Sequence, residues 1–559
     1  MTDHVSLESL PRTQHAIQFV GADELVHNTA KPMYDLGPTQ LLLKVEAVGI
    51  CFSDTKLLHA FDAHPRKSEV LSGLSAEELA SIPSYRPGTE AVVPGHEPVA
   101  RIVAIGDQVK RHEVGERVLV QTDYRHLPTA GSNAAFGYNF EGALQEYVVV
   151  DERMITDPAT GERFLIPVSD QPTAAAIALI EPWACVEAAY AWGERQHLRD
   201  GGRLLVVVDD EHAPTGMSEL LAEHQPGALT MVGTTPADLG ADGVVAESLG
   251  VLAEHGFDDI IYFGADATTI ARLGALLAPA GILNLVLGNS RLHATVPVDV
   301  GRVHYDLIRY IGTPGDDPAA SYANIPSRCE VRPGDRVAII GAAGPMGLMH
   351  IIRTAVSGVP GVSIDAVDVD DARLAHLSAV VTPVAEAHGV ATSFINSRTG
   401  QLDSDYSYVA VMVPAPALLA QAVTIAGTGA IVNAFAGFAV GTMAELDLNA
   451  VAERGVYLVG TSGSRIQDMK AVLEKVEDGV IDTAVSLWAV SGMAGVADAI
   501  AAVNDRTPGG KIMVYPMLPD LGLLRLDELA EALPDVAAAM PDGRWTAEAE
   551  QALLATVHP

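Results

Sequence analysis

Short β-branched runs, each bounded by turn residues, dominate residues 40–150. The runs QLLLKVEAVGI, VARIVAIGDQV, ERVLVQTDY and ALQEYVVVDE are separated by Gly, Pro and Asp. Such runs are typical of strands, so this region predicts a β-rich domain. An Ala-rich stretch follows over residues 172–193, and it predicts a helix that is interrupted near Pro182.

From about Gly201, apolar runs alternate with helical segments, which is typical of parallel α/β units. The amphipathic segment ATTIARLGALLAPAG predicts a helix within this set. The alternation restarts after Pro333–Gly334, and two pairs of segments correspond between the sets. We therefore interpret residues 200–316 and 333–464 as two tandem copies of one nucleotide-binding fold, called copy one and copy two. The strand-like runs are RLLVVVDD, ALTMVGTT, GVVAES, DDIIYFGA, GILNLVLGN and LIRYIGTPG in copy one, and DRVAIIGAAG, VSIDAVDVDD, TSFINS, DYSYVAVMV, GAIVNAFAGF and VYLVGTSGS in copy two.

Residues 406–444 carry no charged side chain, and their length alone would suit a membrane span. Pro and Gly residues divide the stretch into short pieces, which favours strand, helix and strand in a buried parallel sheet. The N-terminus has no basic segment followed by an apolar run, so it does not resemble a signal peptide. We expect a cytoplasmic protein.

The length, net charge and cysteine count of the chain exclude several classes of protein. A chain of 559 residues is too long for one hydrophobic core and predicts three or four domains. With 35 Lys and Arg against 71 Asp and Glu, the net charge of −36 argues against binding to nucleic acid or anionic membranes. Three cysteines exclude a disulfide scaffold and a four-cysteine zinc site.

A glycine-rich turn in VAIIGAAGPMG follows an apolar strand of copy two. Gly341, Gly344 and Gly347 are spaced by three, a variant of the dinucleotide fingerprint, in which a helix N-terminus faces the pyrophosphate. Asp368 ends the next strand 21 residues after Gly347, where a carboxylate binds the ribose hydroxyls and favours NAD over NADP. The alternative is a glycine turn of another α/β fold, with Asp368 as a helix cap.

Copy one lacks these features. Its first strand runs into DDEHAPTGM, which has acidic residues where a phosphate would lie, and its second strand ends in GTTPADL. Like charges oppose pyrophosphate binding. We predict that copy one does not bind a dinucleotide in the usual way.

Three segments supply residue types that Zn²⁺ accepts. GICFSD contains Cys51, Ser53 and Asp54, PGHE contains His96 and Glu97, and IEP contains Glu181. The spacing alone leaves ordinary alternatives open. Cys51 would then be a small buried hydrophobe, His96 a turn histidine, and Glu181 a helix cap before Pro182.

In order along the chain, GICFSD, VPGHE, GALQEYVVV, IEP and a glycine-turn nucleotide fold resemble the medium-chain zinc-dependent alcohol/polyol dehydrogenases. The resemblance covers roughly residues 35–516 and is strongest to the sorbitol and threonine dehydrogenases and the sorbose-phosphate reductases. QTDY…FGYNFEGALQEY and the segment around His304 also resemble the last branch. The fold class implied is α/β, with a GroES-like β-rich catalytic domain and two tandem Rossmann-type doubly wound parallel sheets.

The resemblance also implies the roles of individual residues. Cys51, His96 and Glu181 would hold one catalytic zinc, with Glu97 as an alternating or fourth ligand. Asp54 would orient His96, and Ser53 would take the alcohol proton and pass it to solvent. The zinc would act as a Lewis acid while hydride moves to or from NAD. The expected cofactor-binding residues are Gly341, Gly344, Pro345, Met346, Gly347, Asp368 and Arg373.

The chain departs from the family pattern in three ways. No cysteine cluster for a structural zinc is present, so only one zinc is expected. An apparent insertion over residues 63–91 carries Arg66 and Lys67, which we interpret as solvated surface charges rather than phosphate ligands. The nucleotide fold is doubled, and since family members usually dimerise through edge strands, copy one is expected to serve as an intrachain pseudo-dimer partner, alongside possible homo-oligomerisation. The alternative is that copy one, not copy two, faces the zinc.

The motifs and the family resemblance together predict the function and the domain boundaries of the chain. The function is oxidation or reduction of a secondary alcohol or ketone in a polyol, sugar, cyclitol or their phosphates. One alternative is a redox-neutral epimerase or isomerase that uses tightly bound NAD transiently, and another is a non-catalytic family member. The predicted domains are a GroES-like zinc-binding catalytic domain (1–198), a degenerate Rossmann domain (199–325), an NAD-binding Rossmann domain (326–465), a return to the catalytic domain (466–516) and a helical extension (517–559).

Overall fold

The fold is taken from a computed structural model that describes residues 10–209, 215–234, 239 and 243–556. The chain divides into two compact units. One combines the residues up to Ala184 with those from Ser464 onward, and the other spans Cys185–Gly463.

The N-terminal part is rich in strands, as its β-branched runs predict. Its strands are β1 (Thr13–Gly21), β2 (Glu24–Pro32), β3 (Gln40–Ile50), β4 (Glu97–Ile105), β5 (Arg117–Val120), β6 (Asp123–Pro128), β7 (Asn133–Ala135), β8 (Tyr147–Asp151) and β9 (Leu165–Pro167). Its helices are α1 (Phe52–Ala60), α2 (Ala76–Ala80), α3 (Ala174–Ala178) and α4 (Ile180–Ala191).

Copy one contains a parallel sheet whose strands match the predicted runs. The strands of this sheet are β10 (Arg203–Val208), β11 (Ala228–Gly233), β12 (Val244–Val245), β13 (Phe257–Phe263), β14 (Leu277–Val286) and β16 (Arg309–Thr313), whereas β15 (Val296–Asp299) lies outside it. The helices are α5 (Met217–Glu223), α6 (Ala267–Leu276), α7 (Val300–Tyr305) and α8 (Ala319–Ala323). Within the described residues, the sheet order is β12-β11-β10-β13-β14-β16.

Copy two repeats this plan. Its strands are β17 (Arg336–Ile340), β18 (Ser363–Asp368), β19 (Ala391–Asn396), β20 (Tyr406–Val411), β21 (Ala426–Asn433), β22 (Met443–Leu446) and β23 (Tyr457–Val459). Its helices are α9 (Pro345–Ala355), α10 (Asp371–Ala387), α11 (Pro416–Ile425) and α12 (Asn449–Arg454). The order β19-β18-β17-β20-β21-β23 matches that of copy one, and both are the doubly wound Rossmann order. The prediction of two tandem Rossmann-type sheets is confirmed.

The two copies pack on each other within their unit. β15 of copy one pairs antiparallel with β22 of copy two, from Val296 opposite Leu446 to Asp299 opposite Met443. One hydrophobic cluster runs through both copies, and it includes Leu285 of copy one together with Leu446 of copy two. The sheets therefore share a core instead of folding as separate bodies.

The C-terminal part of the chain adds strands to the sheet of the N-terminal part. Strands β24 (Leu487–Ser491), β25 (Lys511–Val514) and β26 (Leu524–Arg525) join a mixed sheet of order β26-β24-β25-β3-β4-β5-β9, with β8 paired to β3. The helices here are α13 (Ile466–Glu477), α14 (Val496–Asn504), α15 (Leu529–Ala532), α16 (Pro534–Ala538) and α17 (Ala547–Ala555).

One predicted helix end was wrong, and one predicted helix interruption is present. The segment ATTIARLGALLAPAG is helical only to Leu276, because the chain enters β14 at Leu277 and Ala280 has a φ of +58°, outside the right-handed helical region. The Ala-rich stretch is interrupted as predicted, at Leu179, three residues before Pro182. Pro182 lies in the first turn of α4, where its missing N–H has no helical partner to lose.

The uncharged stretch over residues 406–444 forms β20, α11 and β21, the predicted strand, helix and strand of a parallel sheet, followed by β22. A different segment, Ala174–Ala191, is long and apolar enough to cross a membrane by length and composition alone. Its apolar window is 83% buried inside the protein, as in the core helix of a soluble protein.

Candidate functional site

The segment GICFSD forms a tight turn between β3 and α1. Cys51 is the N-cap residue of α1, and its backbone N–H donates to Asp54 Oδ2 at 2.9 Å. This contact closes the first helical turn and buries the Asp54 carboxylate, which is 0% exposed. The Cys51 thiol and the Ser53 hydroxyl lie on the same turn, and Ser53 Oγ donates to Cys51 Sγ at 2.8 Å.

The segment PGHE brings an imidazole to this turn. His96 Nδ1 lies 3.1 Å from Asp54 Oδ1, and Ser53 Oγ lies 3.3 Å from His96 Nε2. A carboxylate behind one ring nitrogen fixes the orientation of a histidine and leaves the other nitrogen for a ligand. Asp54 thus has the position that the resemblance implies for it.

Cys51, His96 and Glu97 converge. One potential ligand atom from each lies within 4.8 Å of the other two. Glu97 begins β4 opposite Gly49 of β3, and its carboxylate occupies the space that a side chain at position 49 would fill. Glycine at position 49 is therefore what lets this carboxylate lie against the strand.

A buried lysine, which was not predicted as a site residue, pairs with Glu97. Lys511 Nζ on β25 lies 2.6 Å from Glu97 Oε1, and both side chains are buried. Burial opposes the charged ammonium, but Glu97 and Cys51 outweigh this effect and raise the pKa of Lys511. No local pattern marks Lys511, because its partner is 414 residues away in the chain.

Glu181 lies close to this group but is not among the three converging residues. It is in the first turn of α4, and burial raises the pKa of its carboxyl to about 7, with His96 opposing the shift and Glu97 adding to it. The structure therefore brings Cys51, His96 and Glu97 together, with Glu181 at electrostatic range.

An aromatic wall adjoins the histidine. The rings of Tyr138 and His96 are 5.6 Å apart, and the ring of His64 lies 5.1 Å from Tyr138. The Arg66 guanidinium stacks over Tyr138 at 5.5 Å and pairs with Asp123 at 3.3 Å. Burial, with Arg66 and Lys56 nearby, lowers the pKa of His64 to about 4, so this imidazole is neutral at pH 7. Neither Tyr138 nor His64 was predicted as a site residue.

The interpretation of Lys67 as a solvated surface charge was wrong. Lys67 is 0% exposed, and its ammonium donates to the carbonyl of Arg86 and, at 2.7 Å, to that of Glu90. It holds the inserted segment together from inside. Arg66, next to it, keeps 29% of its side chain exposed.

The residues present fit a zinc ion. Glu97 Oε2 is buried and has no hydrogen-bond partner among the described residues, which is the state expected of a ligand oxygen. Thiolate, imidazole and carboxylate are ligands that Zn²⁺ prefers, and Glu181 offers a further carboxylate nearby. All four residues belong to the unit that contains β3 and β4.

The glycine turn of copy two has the predicted form. Gly341 follows β17 with a φ of +81°, in the left-handed region that favours glycine. A side chain on Gly347 would meet the carbonyl of Ala342, so this glycine permits close packing of the helix on the turn. Gly344 is the N-cap of α9, with Pro345 and Met346 half-buried in the first turn.

Asp368 and Arg373 flank this turn. Asp368 ends β18 and accepts hydrogen bonds from the N–H of Ala343 at 3.0 Å and of Val369 at 2.8 Å. The Arg373 guanidinium donates to the Ala343 carbonyl at 2.9 Å, and its Nε is buried without a partner among the described residues. A cation with an unused donor beside a helix N-terminus fits an anionic dinucleotide.

Copy one differs at the same position. Asp209 follows β10 where Gly341 follows β17, and Tyr262 donates a hydrogen bond to its carboxylate. An acidic side chain and a tyrosine thus occupy the turn. Asp210 and Glu211, the other acidic residues of DDEHAPTGM, lie outside the described residues, as do Thr235–Asp238 of GTTPADL.

Comparison with known proteins gives matches over part of the chain. Residues 37–159 match the alcohol dehydrogenase GroES-like domain. Mannitol-1-phosphate 5-dehydrogenase of Aliivibrio fischeri is 29% identical over 248 residues, which are 40% of this chain and 57% of that protein. L-sorbose 1-phosphate reductase of Klebsiella pneumoniae is 25% identical over 271 residues, 42% of this chain and 64% of that protein. The chain spans less than two thirds of the length of these relatives.

The fold has a solved counterpart. The crystal structure of 2R,3R-butanediol dehydrogenase from Bacillus subtilis superimposes with a TM-score of 0.51 at 15% identity, over 90% of this chain and 100% of that one. At this identity the likeness concerns the fold. Residues 37–159 thus match an alcohol dehydrogenase GroES-like domain, and the fold of the chain is similar to that of the butanediol dehydrogenase.

Proposed function

We propose that the chain is a zinc- and NAD-dependent dehydrogenase of a secondary alcohol in a polyol, a sugar, a cyclitol or one of their phosphates. The observation that carries the proposal is the convergence of Cys51, His96 and Glu97, with Asp54 behind the imidazole. The names of two relatives, which concern a polyol phosphate and a sugar phosphate, support the substrate class.

The side chains of the site would hold the metal in place and carry the alcohol proton. When bound, zinc supplies Lewis acidity to the substrate oxygen and NAD accepts or gives the hydride. Cys51, His96, Glu181 and Glu97 would hold the metal. Asp54 keeps the His96 ring fixed, and Lys511 neutralises one oxygen of Glu97. Ser53 is only partly buried beside Cys51, so its hydroxyl would carry the alcohol proton toward solvent.

Copy two would hold the cofactor. Gly341, Gly344 and Gly347 leave room for a pyrophosphate at the N-terminus of α9, and Arg373 adds a positive charge in an acidic chain. The Asp368 carboxylate at the end of β18 favours the free ribose hydroxyls of NAD over the phosphate of NADP. We also propose a cytoplasmic location for the enzyme.

Activity on a substrate panel tests the proposal. The purified chain, loaded with one equivalent of Zn²⁺, is incubated with NAD⁺ and polyols, sugar alcohols and their phosphates, and NADH is followed by its absorbance. Net NADH formation that Cys51→Ser lowers at least 100-fold supports the dehydrogenase. Interconversion of epimers without net NADH, or no reaction on any substrate of the panel, would refute it.

We further propose that copy one serves as the intrachain partner of copy two. The pairing of β15 with β22 and the shared core support this role. His304 Nδ1 of copy one also lies 3.1 Å from the Ala434 carbonyl of copy two, and Arg309 donates to the Gly460 carbonyl at 3.1 Å. Analytical ultracentrifugation tests the consequence. The mass of one chain is expected at micromolar concentration, and a dimer that persists on dilution would show that the intrachain pairing does not replace pairing between chains.

A further inference from the structure

A second group of residues that could hold a metal ion lies at the start of copy one and in the segment before it. His197 and Asp200 precede β10, and His224 follows α5 as its C-cap residue. One potential ligand atom from each lies within 4.8 Å of the other two. We propose that these three residues bind a divalent transition-metal ion.

The three side chains are already close together. The rings of His197 and His224 are stacked, with centroids 4.3 Å apart and planes inclined by 11°. His224 Nδ1 lies 3.3 Å from Asp200 Oδ1. His197 Nδ1 lies 2.7 Å from the carbonyl of Leu198, so it acts as the donor and leaves Nε2 as the ring's free lone pair. A backbone carbonyl on one nitrogen is the usual support of a metal-bound imidazole.

Backbone hydrogen bonds hold together the two segments that carry Asp200 and His224. Gly201 N–H donates to the carbonyl of Gln225 at 2.8 Å, and Gly227 N–H donates to that of Gly202 at 2.8 Å. These bonds adjoin Asp200 and His224 in the chain, so the ligands come from a pre-formed scaffold. The two imidazoles would have to rotate out of their stack, because their lone pairs lie in nearly parallel ring planes, whereas ligands of one Zn²⁺ at about 2.0–2.1 Å must point at a common centre.

The ligand types select the ion. Two imidazoles and one carboxylate suit Zn²⁺, Co²⁺ or Ni²⁺, whereas Mg²⁺ and Ca²⁺ prefer oxygen ligands. Three protein ligands leave at least one coordination position for water. The ion would join the segment before β10 to the end of α5, and none of the three ligands belongs to the cysteine site.

Cobalt titration separates the two sites. The metal-free full-length chain is titrated with Co²⁺, and bound metal is counted by equilibrium dialysis. Cobalt at Cys51 gives a thiolate charge-transfer band, whereas cobalt at the histidine cluster adds only weak d–d bands. We expect one equivalent with the charge-transfer band and a second one without it, and no second equivalent with Mg²⁺ or Ca²⁺.

Two variants assign the second equivalent. H197Q/H224Q is expected to lose it, or to bind it at least 100-fold more weakly, while the charge-transfer band is unchanged. H388Q is the control, because His388 is also exposed and also bonds a backbone carbonyl through Nδ1, at 2.9 Å from Val384. A wild-type chain without the second equivalent, or a double variant that retains it, would overturn the proposal. Loss of the charge-transfer band alone would count against the cysteine site and not against this one.

Discussion

The ammonium of Lys511 lies 2.6 Å from Glu97 Oε1, in a site where both side chains are buried. Replacing one member of a buried ion pair leaves the other charge uncompensated, which costs about 3–5 kcal/mol. We expect K511M to lower the unfolding free energy of the metal-free chain by about 3 kcal/mol. Chemical denaturation in the presence of a chelator measures this loss.

The double variant E97Q/K511M is the control for this prediction. It removes both charges, so it should be more stable than K511M. Added Zn²⁺ should raise the melting temperature of K511M more than that of the wild type, because the cation replaces the lost positive charge. Equal stability of K511M and the wild type without metal would show that the pair does not compensate Glu97.

The orientation of His96 by Asp54 gives a second prediction. Asn at position 54 keeps an oxygen for the backbone N–H of Cys51 but carries no charge to support the imidazole. Outer partners of metal-bound histidines contribute about 10–100-fold to affinity. We expect D54N to weaken Zn²⁺ binding by that factor in competition with a chromogenic chelator. D170N, at an exposed carboxylate paired with Arg101, should leave the affinity unchanged.

A substitution at Gly344 can test cofactor binding without disrupting the fold. A Cβ at Gly341 or Gly347 would collide with neighbouring atoms, but one at Gly344 would meet nothing closer than Arg373 at 3.5 Å. G344A should therefore fold, with a stability loss of about 1 kcal/mol or less. It should still weaken NADH binding at least 10-fold, because the added methyl group lies where the pyrophosphate approaches the backbone. Fluorescence titration with NADH and thermal unfolding measure the two effects, and unchanged NADH affinity would contradict the assignment of the turn.

Much of this architecture can be predicted from local sequence patterns. The features that were not predicted depend on contacts or boundaries that no local pattern marks. The strands of both Rossmann sheets are continuous apolar runs because both of their faces are covered. The turn at Gly341 and the pair Cys51 and Asp54 are also local. Lys511 and Tyr138 were missed because their site contacts are made through the fold, far from their neighbours in sequence. The helix end at Leu276 was misplaced because the apolar pattern continues without interruption from α6 into β14.

The burial of Lys67 predicts a pH dependence. Burial lowers the pKa of Lys67 from 10.5 to about 8, with the charge of Arg86 adding to the shift and that of Glu90 opposing it. Between these values the unfolded chain binds more protons than the folded one, so stability rises with pH in that window. Relative to K67Q, the wild type should gain about 2 kcal/mol in unfolding free energy between pH 8 and pH 10. A difference between the two proteins that stays constant over this range would show that Lys67 titrates normally.

The C-terminal extension has a structural role that its sequence did not indicate. Glu550 on α17 is buried and accepts hydrogen bonds from the backbone N–H of Ala174 at 2.6 Å and of Ala175 at 3.0 Å. Tyr515, directly after β25, donates to the same carboxylate at 2.8 Å. Hydrogen bonds to a charged acceptor contribute about 1.5–3 kcal/mol, and donors left without a partner cost as much. E550A is therefore expected to lower the unfolding free energy by about 3 kcal/mol and E550Q by about 1–2 kcal/mol, measured by denaturant unfolding. E548Q, at an exposed position of the same helix, should change it by less than about 0.5 kcal/mol. If E550A matched E548Q, the extension would be only peripheral to the fold, and the contacts of Glu550 would not stabilise the N-terminus of α3.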